Sequence, residues 1–112
     1  MRRRYLFDVS LARQIVLDGR EPIELEPEDV RYSVDNSRIY SQHLEHVQTQ
    51  YPGIIAHLWY PEANGELVHA HLLIDGNHRA ARCLQLGLPY FVHVLTEEES
   101  RQVLLKSPEQ RL

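Results

Sequence analysis

The sequence predicts an α+β domain in which short helices pack on a small mixed β-sheet. Two strand-like runs at residues 54–60 and 67–74 flank a turn with an Asn-Gly pair, which is typical of a β-hairpin. Small or apolar residues then recur at helical spacing over residues 77–86, and a further strand-like run follows at residues 90–95. The chain shows no internal repeat, and the strands are expected to share one sheet.

The chain begins with a predicted helical extension at residues 1–20. Asp8 or Ser10 is placed to cap a helix there, and Gly19 is placed to end it. Residues 22–27 then predict a short strand framed by prolines. Because proline lacks a backbone N–H group, such a strand is expected at the edge or the start of a sheet.

The middle of the chain has weaker patterns. Residues 30–38 show no clear periodicity and end in a polar, turn-like stretch. Tyr40, Leu44 and Val47 then recur at helical spacing and predict a short amphipathic helix over residues 41–48.

The last predicted helix begins at a capping box. Thr96 stands three residues before Glu99, and such a pair can exchange two hydrogen bonds between side chain and backbone. The side chains predicted to face inward from this helix are Val103, Leu104 and Leu105. Pro108 is expected to end the ordered part of the chain.

Length and composition indicate a single domain over residues 1–112. A hydrophobic content of 43% is enough for a modest core, and the one cysteine, Cys83, excludes an internal disulfide. A lone cysteine is consistent with a reducing compartment. No run of residues is long and apolar enough for a membrane span or a signal peptide, so a cytoplasmic protein without membrane contact is expected.

The charge balance bears on the expected partners. The formal net charge is −4, which argues against a surface dedicated to nucleic acid. Arg2, Arg3 and Arg4 form a short basic run, but three charges at a chain terminus are more often solvated than bound to phosphates. Nucleic acid is therefore not the expected partner.

The most informative pattern is an apolar strand that ends at Asp75 and is followed by a glycine turn. Gly76 permits the turn, and Asn77, His78 and Arg79 open the next helix. A helix N-terminus after such a turn leaves backbone N–H groups free, with the positive end of the helix dipole behind them, so an anion site is predicted. The alternative is structural: Asn77 is an ordinary N-cap, and the His-Arg pair is an ordinary surface pair.

This loop, followed by two alanines and by Leu-Gly-Leu-Pro at residues 86–89, resembles the signature loop of the ParB/sulfiredoxin superfamily. In that superfamily a strand leads into a glycine-containing loop that ends in arginine, and the helix N-terminus behind it binds nucleotide phosphates. The resemblance implies a ParB/sulfiredoxin-like domain with a phosphate-binding loop at residues 75–79. The order of the elements is compatible from about residue 21 onward.

Departures from the superfamily pattern separate its branches. Sulfiredoxins carry a catalytic cysteine where this chain has Asn77, and Cys83 falls on the apolar side of the predicted helix. Partition-type ParB proteins have a helix-turn-helix module after the loop, for which residues 80–112 are too few. The loop is most similar to that of ParB-like kinases, which phosphorylate a small hydroxyl substrate such as free serine. Asp75 and His78 would then act near the transferred phosphoryl group.

The resemblance implies roles for the loop residues and for a segment before the hairpin. Backbone N–H groups of residues 76–78 would contact phosphates, and Arg79 would neutralise charge. Asp75 would hold Mg²⁺ or orient the attacking hydroxyl, and His78 would stabilise the phosphoryl group or donate a proton. From the preceding segment, the candidates are Asn36 and Arg38 for binding and Glu45 as a base. The alternative for Arg38 and Glu45 is a surface ion pair.

The expected function is binding of ATP or another nucleotide with Mg²⁺, and phosphotransfer to a small-molecule or protein acceptor, or nucleotide hydrolysis. Two alternatives stay open. One is a non-catalytic module that binds a nucleotide or a partner protein, and the other is a ParB-like nuclease or toxin-type enzyme. A homodimer is also open.

Three histidines suggest a second site. Alternation along the hairpin places His69 and His71 on one face of their strand, and His57 lies on the partner strand. Three imidazoles on one face could bind Zn²⁺ or another divalent transition metal. The carboxylates considered as further ligands are those of Glu45, Glu66 and Asp75. The alternative is a polar sheet face without a metal.

Overall fold

The computed structural model describes residues 5–61 and 63–106, except for the side chains of Ser41, His43, Tyr60 and Pro61. The basic run at residues 2–4 and Pro108 lie outside the described residues. The elements in chain order are β1 (Leu6–Phe7), α1 (Val9–Ile15), a 3₁₀ turn (Val16–Asp18), β2 (Ile23–Leu25), α2 (Pro27–Asp35), a 3₁₀ helix (Ser41–His46), β3 (Gly53–Pro61), β4 (Leu67–Asp75), α3 (Asn77–Leu86), β5 (Tyr90–Val94), α4 (Glu97–Val103) and β6 (Leu104–Lys106). The predicted α+β class is confirmed.

The main sheet has four strands in the order β2-β5-β3-β4. The β3–β4 hairpin and the β2–β5 pair are antiparallel, whereas β3 and β5 are parallel, so the sheet is mixed as predicted. Strand β2, which follows Pro22, lies at an edge of the sheet, as predicted. A separate two-stranded sheet joins β1 to β6.

The core lies on both faces of the main sheet. One face packs against α1 and α4 through a buried cluster of Ala12, Val16, Ile54, Ala56, Leu95 and Val103. The other face packs against α2 and α3 through Val30, Ile55, Ala80, Cys83, Tyr90 and Val92. Strand β3 contributes side chains to both clusters, because successive side chains of a strand point to opposite faces of the sheet. The strand is therefore buried on both sides.

Two of the predicted caps are confirmed. The Asp8 side chain accepts a hydrogen bond from the Leu11 backbone N–H (3.1 Å), and Gly19 ends the following 3₁₀ turn in the left-handed region. Thr96 and Glu99 form the complete capping box at α4. Local sequence signals therefore set these helix starts.

Three expectations for the elements are corrected. Residues 27–35, which gave no clear pattern, form α2, with Pro27 at the start of the helix, where its fixed φ fits. The predicted amphipathic helix at residues 41–48 is a 3₁₀ helix that ends at His46. The last helix ends at Val103 rather than continuing, because Leu104 begins β6 and pairs with β1; Leu105 is 60% exposed instead of facing inward.

Within the described residues, no helix combines the length and the apolar character needed to cross a membrane.

Candidate functional site

The loop between β4 and α3 places a helix N-terminus at the surface without a side-chain cap. Gly76, with φ +99°, occupies the N-cap position, and Asn77 is already the first helical residue. The expectation that Asn77 is the N-cap is therefore wrong. Its side-chain amide instead makes hydrogen bonds to two other segments. Oδ1 accepts from the Ser37 hydroxyl (2.8 Å), and Nδ2 donates to the Leu73 carbonyl oxygen (3.2 Å). No side chain caps the first turn of α3.

A hydrogen bond from Tyr90 holds the backbone of this loop in place. Its hydroxyl donates to the Gly76 carbonyl oxygen (2.8 Å). Burial is the main reason that the pKa of Tyr90 rises to about 12, so the hydroxyl stays protonated and keeps donating at neutral pH. A Cβ at Gly76 would meet this hydroxyl and would lie 3.0 Å from the Cα of Gly53. The close approach therefore requires glycine at position 76.

Asp75 contacts α1, and the β3–β4 register shifts beside it, between Ile54 and Ile55. Both of its carboxylate oxygens accept from Arg13 of α1, Oδ2 from Nε (2.9 Å) and Oδ1 from Nη2 (3.0 Å). The hydrogen bonds with Asp75 raise the pKa of Arg13. The Asp75 side chain is 14% exposed, whereas that of Arg13 is 61% exposed, so the arginine covers the carboxylate from the solvent side.

Arg79 lies on the inner side of the same carboxylate. Its Nη2 is 3.6 Å from Asp75 Oδ2 and donates to the Pro52 carbonyl oxygen (3.3 Å). The Nε atom is buried and has no hydrogen-bond partner among the described residues. Arg79 thus has one buried N–H group for which the described residues supply no acceptor.

His78 is oriented by Tyr40. Its Nε2 accepts from the Tyr40 backbone N–H (3.1 Å), and the two rings stack with centroids 5.9 Å apart. A neutral imidazole that accepts at Nε2 carries its proton on Nδ1. The Tyr40 segment therefore holds the ring of His78 at the start of α3.

These residues border an open cavity of about 400 Å³, which we call the loop cleft. It is lined by Val47, Gln48, Tyr51, Asp75, Gly76, Asn77, His78 and Arg79. All five predicted loop residues therefore come together. Sequence reasoning missed Gln48 and Tyr51, which come from the segment before β3 and carried no signal of their own.

The three candidates from the preceding segment lie elsewhere. Asn36 ends α2, donates from Nδ2 to the Tyr32 carbonyl oxygen (2.8 Å) and lines a second cavity. Arg38 and Glu45 are exposed, and neither is among the described residues that line the loop cleft. Ser37 and Tyr40, neither of which was predicted as a site residue, do contact the loop from this segment, through Asn77 and His78.

The predicted histidines converge. One ring nitrogen from each of His57, His69 and His71, the histidine cluster, lies within 4.8 Å of those from the other two, and His57 Nδ1 is 2.8 Å from His69 Nε2. The pKa of His71 is lowered, first by burial and then by the neighbouring His69 and His57.

The cluster borders a second cavity of about 790 Å³, which we call the histidine cavity. Its described lining is Tyr5, Ile23, Leu25, Asp29, Tyr32, Ser33, Asn36, Ile55, Val68, His69, Ala70, His71, Leu72, Leu73 and Val94. The carboxylate on this wall is that of Asp29 from α2. The carboxylates expected from sequence, those of Glu45, Glu66 and Asp75, are not part of this lining.

The chain has no match among known proteins: no family model, no curated protein and no solved structure matches it. A proposal for its function therefore depends on the residues of the loop cleft and of the histidine cluster.

Proposed function

We propose that this chain is a ParB/sulfiredoxin-like domain that binds a nucleotide by its phosphates at residues 75–79. The nucleotide is ATP or a related one with Mg²⁺, and the activity is phosphotransfer to a small-molecule or protein acceptor, or hydrolysis. One observation carries the proposal: the ten-residue helix α3 begins without a side-chain cap and opens, beside Arg79, onto a cleft of about 400 Å³.

The local charge supports an anion at this position. Two guanidinium groups, those of Arg13 and Arg79, meet the single carboxylate of Asp75, which leaves one positive charge without a counterion in this group. The positive end of the α3 dipole adds to it. A phosphate in the cleft would accept from first-turn N–H groups and from Arg79, the combination that helix-terminal phosphate sites use.

The proposed chemistry assigns one task to each loop residue. His78, whose ring is held at Nε2 by the Tyr40 backbone N–H, would stabilise the charge on the transferred phosphoryl group. Asp75 would orient the acceptor hydroxyl or hold Mg²⁺ only after it gives up a hydrogen bond to the exposed Arg13. Asn36, Arg38 and Glu45 would take part only if the ligand extends beyond the lining of the loop cleft.

The engagement of Asp75 favours a second candidate, a non-catalytic nucleotide-binding module. In that case both carboxylate oxygens stay bound to Arg13, and Asp75 acts only to hold the arginines in place. The module would bind the nucleotide without turnover. Phosphate release and product formation, measured over hours with candidate acceptors such as free serine, distinguish this candidate from an enzyme.

The binding claim is tested by calorimetry and thermal unfolding with ATP, ADP, CTP, GTP and AMP, with and without Mg²⁺. A ligand that binds only the folded state raises the unfolding midpoint by mass action. We expect Arg79→Ala to weaken nucleotide binding at least about tenfold, or about 1.4 kcal/mol. We expect His78→Ala to reduce turnover more than affinity.

The matched control is Arg82→Ala. Arg82 lies one turn further along α3, and its guanidinium donates to Gln85 Oε1 (2.7 Å) rather than to the loop. This variant removes the same charge but leaves the cleft unchanged, so its affinity should equal that of the wild type. Equal affinities for wild type and Arg79→Ala would refute the site.

A further inference from the structure

We propose that His57, His69 and His71 bind one divalent transition-metal ion, Zn²⁺ being the best match, with a coordination position left open toward the histidine cavity. This site is separate from the loop cleft and does not depend on nucleotide binding. Three neutral imidazoles form a ligand set that Zn²⁺ and its neighbours prefer.

The strand register holds the three side chains on rigid backbone. His57 of β3 lies directly opposite His71 of β4, and His69 lies opposite Trp59 in the adjacent same-face row. Two hydrogen-bonded strands therefore supply all three ligands. Ligands on regular strands keep their spacing better than ligands on loops do.

The distances between the ring nitrogens lie on either side of the spacing that tetrahedral coordination requires. Zn–N bonds of about 2.0–2.1 Å at tetrahedral angles place two ligand nitrogens about 3.3 Å apart. In the cluster, one pair is 2.8 Å apart, and all the ligand atoms lie within 4.8 Å of one another. The required spacing thus lies between these two distances.

A hydrogen bond between two neutral histidines explains only part of this cluster. It accounts for the contact of His57 with His69, but His71 also packs its ring 4.2 Å from that of His69 and 5.8 Å from that of His57, centroid to centroid. A pairwise hydrogen bond therefore leaves the position of His71 unexplained, whereas one cation bound by all three rings accounts for the whole cluster.

The open side of the site faces a polar wall. Asp29, Ser33 and Asn36 of the α2 region line the same cavity as His69 and His71. A carboxylate near metal-bound histidines commonly accepts an imidazole N–H or orients a bound water. With three protein ligands, the fourth position is left for water or for a small ligand in the cavity.

The chain carries its own reporter for this site. Trp59 is its only tryptophan, and its ring stacks on His69 with centroids 4.5 Å apart. Metal binding to His69 places a cation next to the stacked indole ring, so the fluorescence of Trp59 should change with occupancy.

The test is a titration of the metal-free protein with Zn²⁺ by calorimetry, followed in parallel by Trp59 fluorescence. We expect one Zn²⁺ per chain and a fluorescence change that saturates at the same ratio. Loss of groups around a metal ligand lowers affinity roughly 10–100-fold, so His71→Ala and His69→Ala, which remove ligands, should lower it at least about 100-fold. His71 is exposed, so its substitution should preserve the fold, which circular dichroism checks.

His46→Ala is the matched control, because His46 is exposed and ends the 3₁₀ helix away from the cluster. It should bind Zn²⁺ as the wild type does, and so should Arg79→Ala, whose site is the loop cleft. The proposal is overturned if the wild type does not bind Zn²⁺ at one per chain. It is also overturned if both cluster variants retain wild-type affinity, or if His46→Ala loses affinity as they do.

Discussion

At the scale of single residues, the geometry of the loop cleft depends on the contact between Gly76 and Tyr90. The hydroxyl of Tyr90 both bonds the Gly76 carbonyl and fills the space that a side chain at this position would need. The backbone also requires glycine, since φ +99° is strained for any other residue. Steric and conformational requirements therefore act at the same position.

Gly76→Ala separates these two requirements when it is compared with Gly19→Ala. Gly19 has φ +91°, and a Cβ there meets nothing within 4 Å, so its substitution introduces only the backbone strain, about 1–2 kcal/mol. At Gly76 the clash with the Tyr90 hydroxyl and the Gly53 backbone adds about 1–3 kcal/mol. Urea unfolding measures both losses, and equal losses would show that Tyr90 does not crowd the loop.

At the scale of elements, Arg20 joins three parts of the fold. Its guanidinium donates to both carboxylate oxygens of Glu99 on α4 (2.8 and 2.7 Å), to the Val94 carbonyl oxygen of β5 (3.1 Å) and to Asp18 in the 3₁₀ turn (2.8 and 3.0 Å). Glu99 at the same time completes the capping box of α4. One ion pair thus fixes where α4 begins relative to the sheet.

This ion pair predicts a loss of stability in acid. Hydrogen bonds from Arg20 are the largest cause that lowers the pKa of Glu99, and they also lower the pKa of Asp18, to about 2. Because both folded pKa values lie below the unfolded ones, their contribution is complete above about pH 5. It is lost as the pH falls through the folded pKa values.

We therefore expect the free energy of unfolding to fall between about pH 5 and pH 2. Glu99→Gln should lower it by about 1 kcal/mol at neutral pH and should flatten this pH dependence. The control is Glu97→Gln, whose ion pair with Arg101 on the same helix is more exposed, so that its loss should stay below about 0.5 kcal/mol. Urea titrations over the pH range measure both. Parallel pH profiles for Glu99→Gln and the wild type would contradict the assignment.

The elements that sequence predicted are those with local signals. The hairpin, α3 and the capped α4 each carry a turn, a glycine stop or a capping box within a few residues. Helix α2 was missed because Val30 is its only fully buried residue, which gives too short an apolar stripe. The end of α4 was misplaced because Leu104 pairs with β1 at the other end of the chain. Such long-range pairing leaves no local pattern.

At the scale of the whole molecule, β4 connects the two candidate sites. His69 and His71 lie within this strand, and Asp75, its last residue, lines the loop cleft. The loop itself could be predicted, because residues 75–79 are contiguous. The contact of Asp75 with Arg13 joins residues 62 positions apart, and no sequence pattern indicated it. The N-terminal helix is thus part of the site rather than only an extension.

The most direct test of the phosphate site is a ¹⁵N–¹H NMR titration of the labelled protein with ADP and with inorganic pyrophosphate. We expect the backbone amides of Asn77, His78 and Arg79 to shift in a saturable way with both ligands, because the phosphates accept from the first turn of α3. In Arg79→Ala the amides at these positions should reach half of their shift only at ligand concentrations at least about tenfold higher. The phosphate site would be contradicted if these three amides do not shift, or if shifts occur only around the histidine cavity.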